Sequence, residues 1–250
     1  MRSGSLATSG MMIMALACVS GEARAQDAEG FVSIFNGRTL EGWEGDPAYW
    51  RVEDASIVGE ITPETVLRRN TFLIWRGGVL EDFELKVEYR ITDRGNSGIS
   101  YRNEQLPDAP FSLTGYQADL DGGKRYVGSL YEERGRTTLA SQGTRVTIPD
   151  VELTDSLRAH VQSNAWIHAV VDAQLGDPDS LDAVIRTGDW NEYHIIARGN
   201  RLQHYVNGVL MSDVTDNDTR QRRLRGLLGV QVHTGPPMKV EYRNFRLKPL

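Results

Sequence analysis

The 250-residue chain has a single cysteine, Cys18, and it sits in an apolar stretch near the N-terminus. If that stretch is removed, the remainder has no disulfide, no thiolate nucleophile and no Cys-ligated metal. No apolar run approaches the about 20 residues that a membrane-spanning helix needs. Positive charge is also scarce: the formal net charge is −6, and the only basic cluster is Arg220, Arg222, Arg223 and Arg225. That cluster reads as a solvated loop, and the lack of a basic stripe argues against nucleic acid as a partner. No Gly-x-Ser-x-Gly elbow and no His-Glu-x-x-His metal motif occur. His160, His168, His194 and His204 show no ligand spacing, so each reads as surface or satisfied core.

The N-terminus does carry a signal. Arg2, the run Met11–Val19 and the small residues Ala23-Arg24-Ala25 form a secretory pattern. Residues 1–25 are expected to be a cleaved signal peptide, which would make the protein periplasmic or secreted, with no membrane association after cleavage. Ala15-Leu16-Ala17-Cys18 is a poorer match to a lipoprotein site.

From Phe31 onward the pattern is one of short strands. Phe83, Leu85, Val87 and Tyr89 alternate with Glu84, Lys86, Glu88 and Arg90, a period of two. Further strands are expected at Ser56–Glu60, Gly98–Arg102, Gly115–Asp121, Tyr126–Glu132, Tyr193–Arg198, Leu202–Val206, Gly226–His233 and Lys239–Lys248. Gly-rich turns separate most of them, and Asn207-Gly208 is a strong hairpin signal. The expected fold is all-β, a jelly-roll β-sandwich of two antiparallel sheets over residues 26–250. A helix is expected at Ser156–Asp172, continuing through Leu181–Arg186, within an insertion at about 148–186.

Three strands share an unusual polar face. Ser100 and Arg102 oppose Ile99 and Tyr101; Gln117, Asp119 and Asp121 oppose Tyr116, Ala118 and Leu120; Gln231 and His233 oppose Val230 and Val232. The apolar sets are expected in the core. The opposing sets are rich in planar, multidentate hydrogen-bonding groups. If the strands are neighbours, these groups converge on one concave surface suited to a polyhydroxylated ligand.

Asp119 and Asp121 fall on one face about 7 Å apart by strand geometry. Such a pair suits acid and base roles on a glycosidic bond, or a Ca²⁺ pair, since Asp-x-Asp-Gly is also loop-ligand chemistry. The plain alternative for Asp121 is a charged turn ahead of Gly122-Gly123. Mid-strand Asp119 reads as functional. Glu133, in a charged strand end, is a second carboxylate that could face the site. Trp75, beside Arg76-Gly77-Gly78, is a candidate sugar-stacking platform.

The ordered motifs resemble a known family. Phe31-Val32-Ser33-Ile34-Phe35-Asn36-Gly37, Leu40-Glu41-Gly42-Trp43, Asn70-Thr71-Phe72-Leu73-Ile74-Trp75, Gly95-Asn96-Ser97-Gly98-Ile99 and Gly115-Tyr116-Gln117-Ala118-Asp119 come first. Gly188-Asp189-Trp190-Asn191-Glu192-Tyr193, Gly229-Val230-Gln231-Val232-His233-Thr234-Gly235 and Val240-Glu241-Tyr242-Arg243-Asn244-Phe245 follow. In this order they are similar to the 3-keto-disaccharide hydrolase domain, with little match at about 148–186. The resemblance implies a concanavalin-like jelly roll, export from a bacterial cytoplasm, and action on glucosides oxidised at C3. A C3 ketone acidifies the C2 proton, so a base can remove it, the C1 substituent leaves, and water adds. Asp119 and His233 then supply the base and the acid, in either order, with Arg102, Gln117 and Gln231 holding hydroxyls and the ketone. The partner implied is a carbohydrate; no cofactor is firmly implied. Two alternatives stay open: a non-catalytic lectin-like module, and a conventional glycosidase using Asp119 with Glu133.

Overall fold

The computed structural model describes residues 26–250. The expected signal peptide and Cys18 lie outside the described residues. Two sheets, one of ten strands and one of nine, pack face to face. In the nine-stranded sheet Leu130–Glu133, Leu113–Asp121, Asn96–Gln105, Gly226–Val232 and Thr71–Leu80 are successive neighbours. The three strands singled out for their polar faces therefore do lie side by side. The expected jelly-roll sandwich is the observed architecture. The sheets are not purely antiparallel: Thr144–Ile148 runs parallel to Val209–Asp216, and Thr137–Ala140 to Ala165–Trp166.

Period-two alternation builds the core. Phe83, Leu85, Val87 and Tyr89 are at most 1% exposed and meet Ile99, Tyr101, Tyr116, Ala118 and Val230 from the facing sheet. Asn207-Gly208 closes a two-residue hairpin, with Val206 opposite Val209 and φ of 48° and 81°. Both angles lie in the left-handed region that such a turn requires.

The core also contains charge. Arg136 is fully buried, with its guanidinium bonded to Asp216 at 2.6 Å and Glu132 at 2.8 Å, and Asp218 at 3.5 Å. Tyr116 donates its hydroxyl to the same Asp216 carboxylate at 2.6 Å. Glu132 belongs to the nine-stranded sheet and Asp216 to the ten-stranded one. The cluster thus ties the two layers together. Its charges tolerate burial because each is paired and hydrogen-bonded.

The helix expected at Ser156–Asp172 is absent. One 3-10 turn, Leu157–His160, leads into a small hairpin, Val161–Gln162 with Ala165–Trp166, and then the edge strand Val170–Gln174. Ser163 and Asn164, at φ 51° and 60°, break any helix there, and β-branched Val161, Val170 and Val171 favour strands. The only α-helix among the described residues is Pro178–Val184, capped by Asp177 accepting from the Ser180 N–H at 2.9 Å, with Pro at its start. Only its second half overlaps the expected continuation. Similarly, the strand expected at Tyr126–Glu132 shortens to Leu130–Glu133, because 122–129 forms a loop held by Asp121.

Candidate functional site

The outer face of the nine-stranded sheet holds a pocket of about 290 Å³, lined by residues that include Gln117, Asp119, Glu133, Asn70, Asn96 and His233. Pockets of this size suit small ligands. Four of the expected site residues meet there: Asp119, His233, Gln117 and Glu133. Sheet order explains it: Leu130–Glu133 and Leu113–Asp121 are adjacent, only Asn96–Gln105 separates them from Gly226–Val232, and His233 follows directly after that last strand.

The pocket floor is a hydrogen-bonded chain. Ser100 Oγ donates to Gln117 Oε1 at 3.0 Å, and Gln117 Nε2 donates to Asp119 Oδ1 at 2.8 Å and towards Gln231 Oε1 at 3.5 Å. Gln231 Nε2 in turn donates to Glu133 Oε2 at 3.4 Å, and Asn70 Nδ2 donates to Glu133 Oε1 at 3.4 Å. The Thr234 N–H donates to Asn70 Oδ1 at 3.0 Å. Gln231 is fully buried behind the pocket wall, so it positions its neighbours from behind. Gln117 lies across Gly98, where a Cβ would fall 2.4 Å from its Cδ.

Burial sets the proton state of the carboxylates. It pushes Asp119 up to about 8, against the lowering hydrogen bond from Gln117, and Glu133 adds to the rise. Asp119 still opens onto the pocket, but it is otherwise enclosed by protein. Glu133 is raised as well, mainly by burial, and is held back by Arg134, Asn70 and His233. Burial followed by Glu133 and Asp119 lifts Tyr131 to about 12. Around neutral pH Asp119 therefore carries a proton, and Gln117 occupies Oδ1, which leaves Oδ2 to donate it.

His233 is fixed differently. Its Nδ1 lies 2.6 Å from the Thr234 carbonyl. A carbonyl only accepts, so Nδ1 carries the hydrogen, and the neutral ring keeps its lone pair on Nε2.

Three expected site residues are placed elsewhere. Arg102 is fully buried at φ 52°, in a register shift between Tyr101 and Glu104. That bulge redirects its side chain to the carbonyls of Glu81 and Gly199, at 2.8 and 2.6 Å, and to Asp82 at 3.0 Å. It stitches the sheets together and does not line the pocket. Trp75 has the parity of Leu73, belongs to the main core and is 8% exposed, with its ring against Gly77. It offers no stacking platform. Asp121 ends its strand and turns back to accept the N–H groups of Tyr126 at 2.8 Å and Arg125 at 3.3 Å. It acts as a turn cap. Among the described residues no group of three or more His, Cys, Asp and Glu is placed to hold a metal ion.

Pattern reading missed Asn70, Asn96, Tyr126, Tyr131, Thr138 and Asn164, all of which line the pocket. The signal for Asn70 and Asn96 was present, since both sit in motifs that resemble the family. Tyr126, Tyr131 and Thr138 carried no comparable pattern. Asn164 comes from the segment with no recognised motif.

Comparison with known proteins follows the same outline. A curated 3-keto-disaccharide hydrolase from Bacteroides thetaiotaomicron is 33% identical over 87 residues, covering 32% of this chain. The match spans only 30% of that relative's length. A solved Parabacteroides distasonis protein, described as a candidate glycosyl hydrolase, superposes with a TM-score of 0.55 at 22% identity, covering 89% of this chain and 95% of that one. A carbohydrate-binding module from Bacillus subtilis superposes at 0.50 with 16% identity, covering 83% and 95%. At these identities the structural likenesses concern the fold. Among the described residues no helix is long and apolar enough to cross a membrane. The model of the 3-keto-alpha-glucoside-1,2-lyase-like domain matches residues 30–248, which is nearly the whole described chain, and the chain belongs to that family.

Proposed function

We propose that the protein cleaves glucosides oxidised at C3 by elimination across C1 and C2, followed by hydration. The observation that carries this reading is the meeting in one pocket of Asp119, whose carboxyl burial holds protonated, and His233, whose Nδ1 is engaged by the Thr234 carbonyl. His233 Nε2 removes the C2 proton, and the electron pair moves into the C3 carbonyl as an enediolate. The Asn96 side-chain amide, which has no hydrogen-bond partner among the described residues, is free to hold the developing oxyanion. The pair then forms the C1=C2 bond as the C1–O bond breaks, and Asp119 gives its proton to the departing oxygen. Water adds in reverse, hydroxyl to C1 and proton to C2, which restores both residues, so the sum is hydrolysis. The family description as a lyase-like domain supports the elimination step.

The test is incubation with a 3-keto-disaccharide in D₂O. Deuterium at C2 and release of the second sugar are expected; binding with neither exchange nor release points to a lectin-like module and overturns the proposal. Asp119 and Glu133 in one pocket support a second reading, a two-carboxylate glycosidase. Cleavage of an unoxidised disaccharide distinguishes it. Export through the 1–25 segment belongs to the same proposal, and N-terminal sequencing of the mature protein checks it.

A further inference from the structure

Apart from Asp119, His233 and Asn96, whose roles are given above, the polar groups at the pocket fall into two sets. Asn70, Gln117, Gln231 and Glu133 are tied to one another, as described above. A second set has side-chain groups with no hydrogen-bond partner among the described residues: the Tyr126 and Tyr131 hydroxyls, Thr138 Oγ1 and the Asn164 amide. The sheet order sets Thr138 and Asn164 apart from Asn70 and Gln231, while Tyr131 shares the strand Leu130–Glu133 with Glu133. The hairpin bearing Asn164 and the strand Thr137–Ala140 form one margin, beyond Leu130–Glu133, while the Asn70 and His233 strands lie on the other side of Asp119.

Asn164 occupies an unusual position. Gln162 faces Ala165 across a two-residue turn, and Ser163 and Asn164 both have positive φ, 51° and 60°. A turn of that shape favours glycine at its second position. Here a side chain is kept at a backbone cost, and that side chain lines the pocket. The turn is docked, not loose: the Thr138 N–H donates to the Asn164 carbonyl at 3.2 Å, and neighbouring Trp166 is 3% exposed.

We infer that Asn164, with Thr138 and Tyr131, forms the subsite for the group leaving C1, and that this subsite recognises a hydroxyl-rich sugar. The inference rests on the elimination reading of the pocket. The oxidised ring must lie over Asp119 and His233, so its C1 substituent needs a direction in which to extend. On the Asn70 side, Asn70 and Gln231 are committed to internal bonds and Asn96 is assigned to the oxyanion, whereas the Asn164 side presents unpaired donors and acceptors. Hydroxyl groups of a second sugar satisfy them, and two tyrosine rings provide apolar surface for its carbon face. Discrimination by a lost hydrogen bond is a specificity effect that a smaller substrate lacking the group does not feel.

The experiment compares a 3-keto-disaccharide with methyl 3-keto-glucoside, whose one-carbon leaving group has no hydroxyls to offer such a subsite. Asn164→Gly removes the side chain and suits the turn, so its melting temperature should stay level or rise. Thr138→Val is the second variant. Each should lower kcat/KM on the disaccharide about five- to tenfold, as expected for one neutral hydrogen bond, and leave the methyl glucoside within about twofold. Equal losses on both substrates, or no loss on the disaccharide, overturn the subsite while leaving the elimination reading intact. A wild-type protein inactive on both substrates overturns the reading itself, and the subsite with it.

Discussion

Gln117 donates its side-chain amide to Asp119 Oδ1 at 2.8 Å while lying flat over Gly98. Gly98 has no positive φ, so alanine is conformationally acceptable there. Its methyl group would still push Gln117 aside and release Asp119. Gly98→Ala should fold normally and lose at least about tenfold in kcat, since a small displacement of a positioned group is costly. An unchanged kcat would show that this contact does not position the acid.

The raised pKa of Asp119 gives a pH prediction. The folded protein keeps this proton up to about pH 8, whereas the unfolded chain releases it near 3.8. The folded state therefore binds more protons across that window, and the group's contribution to stability falls as pH rises through it. In the proposed mechanism the acid form is also the one that protonates the leaving group, so kcat/KM should fall above about pH 8. Asp119→Asn should lose about 10²-fold or more in rate. It should also flatten the decline in stability between acid and mildly alkaline pH, measured by denaturant titration. An intact rate in the variant would remove Asp119 from proton transfer.

His233→Gln retains a polar side chain but lacks a basic nitrogen. Both C2 deuterium exchange and product formation should drop by about 10²- to 10⁴-fold. Persistent exchange with blocked product release would reassign the base.

For Arg102 the expectation is reversed. Its removal leaves the carbonyls of Glu81 and Gly199 without a buried partner, at a total cost of about 3 kcal/mol. Arg102→Met should lower the melting temperature markedly and leave kcat/KM of the folded fraction unchanged. A selective loss of substrate affinity would place Arg102 back in the site.

Strand phase made much of this molecule readable. The alternation from Phe83 to Tyr89 placed a core strand, and the Gln117/Asp119 and Gln231/His233 faces pointed to a common surface because period two leaves little choice of side. Arg102 broke the rule: a single left-handed residue in a bulge reverses a side chain, and nothing in Ser100-Tyr101-Arg102-Asn103 announces it. Trp75 was misread for a different reason. The chemistry of its neighbours outweighed its parity with Leu73, which assigns it to the core. Segment 156–172 lacks both a clean helical stripe and a clean alternation, so local pattern could not find its hairpin. Asn70 sits just ahead of its strand, where no periodicity applies, and it joins the site only through contacts with Glu133 and Thr234.

Glu132 and Glu133 are adjacent acids on one short strand with opposite destinations. The first enters the interior to meet Arg136; the second opens onto the pocket. A slip of one residue that brought Glu132 to the pocket would turn Tyr131 inward, leaving the guanidinium without this carboxylate and pointing the wrong acid at the pocket. The interior cation thereby acts as a proofreader of strand alignment, so the acid that faces the pocket is selected by a charge that no ligand there would touch.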